Sequence, residues 1–465
     1  MNLFKKIENI ISSFADFMWS APFLKIASIE IPFLLFLLLG GGIYFSFYSR
    51  FVPFKYFSHG ISILMGKYND PNDPGEITHF QALTSALAST VGLGNISGVA
   101  IAIQMGGPGA LFWMWISALL GMSTKFFSCT LSILYRGKDD QGQIQGGPMY
   151  YIENGLGKRF KPLSILFSLA GLAGCTVMFQ SNQLADIIRD QVFLPNGLFV
   201  ENALFGDFIQ GMIMAVLTAI VIFGGIKRIG QVASYLVPIM VVLYLLSGLL
   251  VIFNHITEIP SLFFLIINDA FTGDAVMGGA VGAVIIAGVR RALFSNEAGL
   301  GTSDMAHGAA QTKEPIREGL VAMIEPFIDT IIVCTITAMV ILTSGVWQQE
   351  GLSGVTMTTA AFIAELGGFG KVLLLSAVLT FSLSTMMSYS YYGSKCSGYL
   401  FGTKSIFYYR CFYVITIVVG AMITIDVVLS VVDGMYAVMA IPTVVGSVLL
   451  SKKVMEEAKK YFSKL

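Results

Sequence analysis

With 465 residues, 55% hydrophobic and only 12% charged, the chain has the composition of a polytopic helical membrane protein, since soluble proteins carry roughly 25% charged residues. Mean hydropathy is +0.75. The 28 Lys and Arg balance the 28 Asp and Glu, which gives no reason to expect a nucleic-acid partner. The five scattered cysteines have neither metal-ligand spacing nor the pattern of a disulfide framework.

A bilayer core takes about 20 apolar residues per helix. Eleven such stretches are read, at roughly 29–49, 77–104, 109–135, 161–188, 206–226, 230–254, 275–300, 316–343, 369–394, 405–423 and 425–450. The predicted fold is therefore an all-α membrane protein with 11 transmembrane helices. Residues 1–76 hold an N-terminal segment and one extra helix, and 77–254 and 275–450 form two five-helix blocks of nearly equal length. Residues 451–465 form a basic amphipathic tail on the inner leaflet. Five is odd, so the second block crosses in the opposite sense, as in a 5+5 inverted repeat. Residues 1–28 and the loops sharing their side hold five cations (Lys5, Lys6, Lys25, Arg189 and Lys371), whereas the other side holds 22. Lys and Arg stay on the cytoplasmic side. The N-terminus is thus expected outside and the C-terminus inside, in a plasma or bacterial inner membrane. Lys125, inside the third span, is expected to snorkel to the inner surface.

Thr90-Val91-Gly92-Leu93-Gly94-Asn95-Ile96-Ser97-Gly98 interrupts the second span. Glycines lower helix propensity there, and unwound backbone survives at bilayer depth only where protein buries it or where it lines a cavity. Discontinuous helices of this kind build midplane sites for substrate and ion. The second block opens with Gly278, Gly279, Gly282 and Gly288 in a matching position. Gly94/Gly98 and Gly278/Gly282 also fit small-xxx-small packing. Asn95 reads either as an ion ligand or as interhelical glue. Gln81 and Ser85 precede the break on the face of Ser89, and Gln180-Ser181-Asn182-Gln183 with Asp186 is a polar run near the outer end of the fourth span.

Arg290 and Arg291 with Glu297 mark the inner end of the seventh span, as a gating salt bridge or as positive-inside anchors. Glu325 and Asp329 are four apart on one helix face, beside a kink expected from Pro326. Carboxylates inside a membrane are functional candidates, here a relay or a pair bonded to neighbours. His79 is read as a capped or interfacial histidine at a helix start.

Three stretches carry a family signature: Gly106-Gly107-Pro108-Gly109-Ala110-Leu111-Phe112-Trp113-Met114-Trp115-Ile116, Gly146-Gly147-Pro148-Met149-Tyr150-Tyr151 and Phe294-Ser295-Asn296-Glu297-Ala298-Gly299. Phe327-Ile328-Asp329-Thr330 and Ser390-Tyr391-Tyr392-Gly393 follow in order. Over roughly 77–450 the chain resembles the alanine or glycine:cation symporter family. The resemblance implies sodium-coupled, sometimes proton-coupled, uptake of alanine, glycine or D-alanine, on the broken-helix fold shared with the neurotransmitter:sodium symporters. Val91-Gly92-Leu93-Gly94-Asn95 is similar to the first-helix break of the latter. By that resemblance Asn95 and the Thr90 carbonyl would take one sodium, and the Val91 carbonyl with Ser384 and Thr385 a second. The Leu93 and Gly94 amides would take the substrate carboxylate. Gly92, Gln81, Gly278, Gly279 and Tyr389 would complete the substrate site, with Phe179 and Ile286 shaping its apolar side. The chain departs from the family pattern at Leu93, Ser97 and Glu325-Pro326, where substrate range and coupling ion would be set.

Elementary chemistry agrees with this assignment. Sodium is a hard cation suited to oxygen ligands, as calcium and magnesium are, and a half-helix N-terminus receives an anion. An enzyme is not expected, because no metalloprotease helix, nucleophile elbow or phosphate loop is present and Gly92-x-Gly94-x-x-x-Gly98 misses the dinucleotide spacing. A channel would want a ring of subunits, and no loop is large enough for a nucleotide domain. The expected partners are a small amino acid, sodium or protons, and the bilayer, with no cofactor beyond the coupling ion. Proton coupling, or another small neutral substrate such as serine or glutamine, is the alternative reading.

Overall fold

The computed structural model describes residues 3–26, 29–272 and 281–465; Gly278 and Gly279 lie outside the described residues. Helix dominates. Among the described residues eight helices are long and apolar enough to cross a membrane, nine if the bent pair His79–Thr90 and Gly94–Gly106 is one span, and Phe33–Tyr48 and Ile259–Thr272 are shorter apolar helices. Among the described residues the only strands are two antiparallel hairpins, Pro22–Ile26 with Ile29–Pro32 and Gly137–Lys138 with Ile144–Gln145.

The element boundaries depart from the sequence reading in several places. The stretch read as 29–49 becomes helical only at Phe33, because residues 29–32 pair as a strand. Ahead of it, Leu3–Ser20 forms a helix whose Trp19 indole donates to the Asp433 carbonyl at 3.2 Å. The stretch at 161–188 is discontinuous at residues 175–177, between Lys161–Gly174 and Met178–Ile188. Finally, the tail at 451–465 is no separate element: the last helix runs unbroken as Ile425–Phe462. Its end is held by packing, with Phe462 stacked on Tyr56 at 3.9 Å and the Tyr461 hydroxyl 2.8 Å from His59 Nε2.

Helix Gly354–Phe401 bends at Gly367 (φ 59°, ψ −139°), a backbone conformation that glycine tolerates. Just before that bend Glu365 meets His255, which follows helix Gly225–Asn254: Nε2 lies 2.7 Å from Glu365, and Nδ1 lies 3.1 Å from Glu258. Hydrogen bonds to Glu258 and Glu365 raise the His255 pKa above 6.5. A raised folded-state pKa gives stabilisation that is full below the unfolded value and fades as pH climbs through the folded one. His255→Gln should therefore lower the melting temperature at about pH 5.5 and leave it unchanged near about pH 9. A deficit equal at both pH values would refute the ion-pair contribution.

Candidate functional site

Thr78 opens the half-helix His79–Thr90 with a capping box. Its hydroxyl accepts from the Gln81 amide at 3.2 Å, and the Gln81 side chain accepts from the Thr78 amide at 3.1 Å. Gln81, expected in the substrate site, is thus committed to an N-cap. The half-helix stops at Thr90. Val91 leaves helical geometry at ψ 86°, Gly94–Gly98 closes one wide π-helical turn, and the axis changes direction by 50°. Such turns concentrate at functional sites. Every residue from Val91 to Gly98 is buried.

Close approach explains the glycines. A Cβ on Gly92 would come within 2.5 Å of Thr385 Oγ1, and one on Gly94 within 3.2 Å of Ser295 Cα. Thr385 Oγ1 itself donates toward the Ala88 carbonyl at 3.0 Å. Gly92→Ala should overpack this contact at about 1–3 kcal/mol and reduce transport more than expression. Wild-type uptake by that variant would show that the approach is not required.

Asn95 is the centre of the break. Its Oδ1 accepts from the Gly92 amide at 2.8 Å, while Nδ2 donates to Asp329 Oδ1 at 2.7 Å and to the Asp329 carbonyl at 3.0 Å. The second Asp329 oxygen accepts from Ser295 and from Thr330, each at 2.7 Å. Asn296 Nδ2 donates to Thr330 Oγ1 at 3.0 Å. One fully buried carboxylate thus gathers donors from three segments that are far apart in sequence. Helix packing around Asp329 is itself π-helical over Phe327–Cys334, just after Pro326.

A second discontinuity follows the helix end that meets the first at Phe294 and Ser295. Helix Val281–Asn296 ends where the Asn296 side chain accepts from the Ala298 amide at 3.0 Å. Glu297 then takes left-handed φ (56°), followed by Gly299 (90°) and Gly301 (82°), before the short helix Thr302–His307. A non-glycine residue held there is strained and clusters at functional sites. Among the described residues this interruption lies at 297–301, whereas Gly282 and Gly288 lie within the helix. Gly288 is helical and presses on Ala110, its would-be Cβ only 2.5 Å from that carbonyl, which is the packing role.

The remaining predicted residues fall as follows. Tyr389 sits at the site: its hydroxyl donates to Glu297 and lies 2.5 Å from the Tyr436 hydroxyl, and Thr302 donates to the other Glu297 oxygen. Phe294 covers Gly94 and Gly98 and meets Phe179 edge-on at 4.8 Å. Ile286 is only half-buried. Leu93 is packed in the core, and Thr90 Oγ1 returns to the Ala86 carbonyl at 3.1 Å. Ser384 turns away, donating to the Phe381 carbonyl at 2.9 Å with Met240 Sδ at 3.6 Å. In the polar run, Gln183 reaches the break by accepting from Ser97 Oγ at 2.5 Å.

The ionic expectations for Arg290, Arg291 and Lys125 are corrected. Arg290 and Arg291 do not reach Glu297. Both bind Asp433 Oδ2, at 2.7 and 2.5 Å, and Arg290 also covers the Trp19 ring. They lie within the helix, six and five residues before Asn296, on the side of the N-terminal helix. Lys125 does not snorkel: it is buried, 2.6 Å from Glu325. Glu325 and Asp329 share a span but not partners, since His307 Nε2 lies 3.6 Å from Glu325. His307 Nδ1 is 2.5 Å from Glu318, and His79 contacts the other Glu318 oxygen. The histidine at the helix start is thus one end of a buried chain running His79–Glu318–His307–Glu325–Lys125. Sequence reasoning missed Glu318, His307, Ser295 and Asp433. An available signal was Glu318 seven residues before Glu325 in one apolar span, two helical turns along the same face.

The sequence profile described as "Sodium:alanine symporter family" matches residues 5–465. "Sodium/alanine symporter AgcS" of Methanococcus maripaludis is 40% identical over 438 residues, covering 92% of this chain and 94% of that one. An "Uncharacterized transporter" of Haemophilus influenzae is 38% identical over 468 residues, with 99% and 97% coverage. "Probable sodium/glutamine symporter GlnT" of Bacillus subtilis is 35% identical over 458 residues, with 98% and 91% coverage. Among solved structures, that of MhsT in complex with L-phenylalanine superposes with a TM-score of 0.60 at 15% identity, covering 83% of this chain and 93% of that one. At that identity the likeness is one of fold.

Proposed function

The chain belongs to the sodium:alanine symporter family, an integral-membrane transporter rather than an enzyme, and we propose that it couples inward sodium movement to uptake of alanine, glycine or D-alanine by alternating access. The observation that carries this reading is the meeting of the break at Asn95 with Asp329 and the helix end at Ser295, a buried set of oxygen and hydroxyl groups of the type a hard cation prefers. In this proposal Asn95, the Thr90 carbonyl, Asp329 and Ser295 hold one sodium. The Val91 carbonyl and Thr385 belong to a second, with Ser384 turning toward the break only on rearrangement. The amides of Gly92, Leu93 and Gly94 receive the substrate carboxylate, and Tyr389 borders the side-chain pocket. Gly278 and Gly279 stay as candidates from the sequence. Arg290, Arg291 and Asp433 close one side of the site, and Glu297 fixes the turn that follows Ser295.

Counting Phe33–Tyr48 and Val281–Asn296 as crossing segments adds two to the nine spans. That is the arithmetic of an extra helix plus blocks 77–254 and 275–450 in inverted repeat. Placing Arg290 and Arg291 within a helix lowers the cations of the predicted inner side from 22 to 20, against five, so the charge bias still favours an outside N-terminus. The continuous last helix would then carry residues 451–465 into the cytoplasm. Labelling of cysteines placed at Lys5 and Lys453 tests this, with equal access from outside as the losing outcome.

Uptake of labelled L-alanine, D-alanine and glycine into proteoliposomes under imposed sodium or proton gradients tests the function. Acceleration by an inward sodium gradient is expected, and uptake indifferent to both gradients would overturn symport. L-glutamine belongs in the panel because a relative 35% identical is described as a probable sodium/glutamine symporter. A proton gradient that alone drives uptake would favour the proton-coupled alternative.

A further inference from the structure

Away from the break lies a cavity of about 360 Å³, lined among others by Glu76, Asp139, Gln145, Tyr391, Lys395 and Arg410, and by no residue of 90–98. Its size is within the ~300–1,000 Å³ range of small-molecule sites. The hairpin Gly137–Lys138 with Ile144–Gln145 forms one wall. That hairpin is latched over the cavity, because the amide and hydroxyl of Thr403 donate to Asp140 at 3.2 and 3.0 Å.

The charges in the wall divide into two sets. Asp139 is spent on the hairpin: it accepts from the amides of Gln141 and Gln143 at 3.0 and 2.9 Å and from Gln145 Nε2 at 2.7 Å. Lys395, buried, donates to the Gln145 side-chain Oε1, which uses one of its three donors. The other set is unspent. Glu76 and Arg410 form no ion pair and no side-chain hydrogen bond among the described residues. The buried Tyr391 hydroxyl has no partner either. A buried phenol is normally hydrogen-bonded, so an orphan in a cavity wall points to a ligand or water that supplies the bond.

We infer that this cavity is a second binding site for a free amino-acid zwitterion, distinct from the transport site. Glu76 takes the ammonium group, and Arg410, Lys395 and the Tyr391 hydroxyl take the carboxylate. A purely anionic ligand would leave Glu76 facing like charge, and a purely cationic one would oppose Lys395 and Arg410, whereas a zwitterion satisfies both signs. The inference rests on the transport reading for its substrate class and on the proposed orientation for its location. The lining segments, around residues 76, 137–145, 225 and 391–410, then face the cytoplasm, so the site is filled from the internal amino-acid pool.

The test is equilibrium binding of labelled L-alanine, D-alanine, glycine and L-glutamine to the purified full chain in lipid nanodiscs. Two saturable components are expected for the transported amino acid. Asn95→Ala should remove the sodium-dependent component and leave the other. Glu76→Gln and Arg410→Gln should each weaken the sodium-independent component by at least about tenfold, a change of about 1.4 kcal/mol, and leave the sodium-dependent one as a control for folding. Propionate and ethylamine, each carrying one of the two charges, should compete at that component at least about tenfold less well than L-alanine. A single component, or a second one indifferent to both variants, overturns the site and leaves water as its occupant. Competition by propionate equal to that of alanine overturns the zwitterion assignment. Gradient-driven uptake by the same purified protein, reconstituted into proteoliposomes, separates the two readings. Uptake without a second component defeats only this inference, and no uptake of any of the four amino acids defeats the transport reading.

Discussion

Asp329→Asn is expected to raise the sodium concentration needed for half-maximal uptake on the order of 10- to 100-fold, about 1.4–2.8 kcal/mol. The substitution keeps volume and planarity but removes the carboxylate bonded to Asn95 at the break. A buried charge interacts far more strongly with a cation than the same charge in water, so an amide dipole in its place cannot compensate. Ser295→Ala, which deletes a 2.7 Å bond to the carboxylate but leaves the charge, should shift the same parameter less, by roughly threefold to tenfold, as supporting partners do in metal sites. Substrate affinity at saturating sodium should change little in Ser295→Ala. Because neutralising a buried charge relieves desolvation, Asp329→Asn is expected to fold, and its melting temperature without sodium checks that. A sodium dependence unchanged from wild type would remove Asp329 from the ion site.

The largest effect on stability is expected at Lys125 and Glu325, 2.6 Å apart and both buried. Removing one partner of a buried pair leaves an uncompensated charge, at about 3–5 kcal/mol. Lys125→Met and Glu325→Gln should each be severely destabilised, and the double variant should recover most of the loss, since replacing a whole buried pair is often neutral. Thermal denaturation in detergent completes the double-mutant cycle. Additive losses would mean that the two side chains act independently. His307 is 3.6 Å from Glu325, so Glu325 is not wholly bare in Lys125→Met. That single variant should therefore be the milder of the two.

The legible parts were those set by the backbone. Glycines at 92 and 94 inside an apolar run announced the break, and the structure gives each a steric reason in Thr385 and Ser295. Thr385 lies against Gly92 and Tyr389 against Glu297, whereas Ser384, one residue away, faces Met240. A one-residue step on a helix turns a side chain by about 100°, finer than span boundaries read to a few residues. The ionic partners were not legible. Lys125 looks like a snorkelling lysine, and Arg290 and Arg291 like loop anchors, until Glu325 and Asp433 arrive from spans 200 and about 140 residues away. The second discontinuity was hidden for a related reason. Glu297, at φ 56°, turns the chain without a glycine at that position, supported by Tyr389 and Thr302 from outside its own helix.

The unbroken helix Ile425–Phe462 has a mechanical meaning. Its 38 residues reach roughly 57 Å at ~1.5 Å each, nearly twice a hydrocarbon core of about 30 Å. It works as a strut pinned at both ends, by Arg290 and Arg291 at Asp433 and by Tyr56 and His59 at Phe462 and Tyr461. Displacement at one pin must either travel the full length of the rod or be taken up along it. Pro442, partway between, has no amide to close the ladder, which makes it the natural articulation between the two faces of the protein.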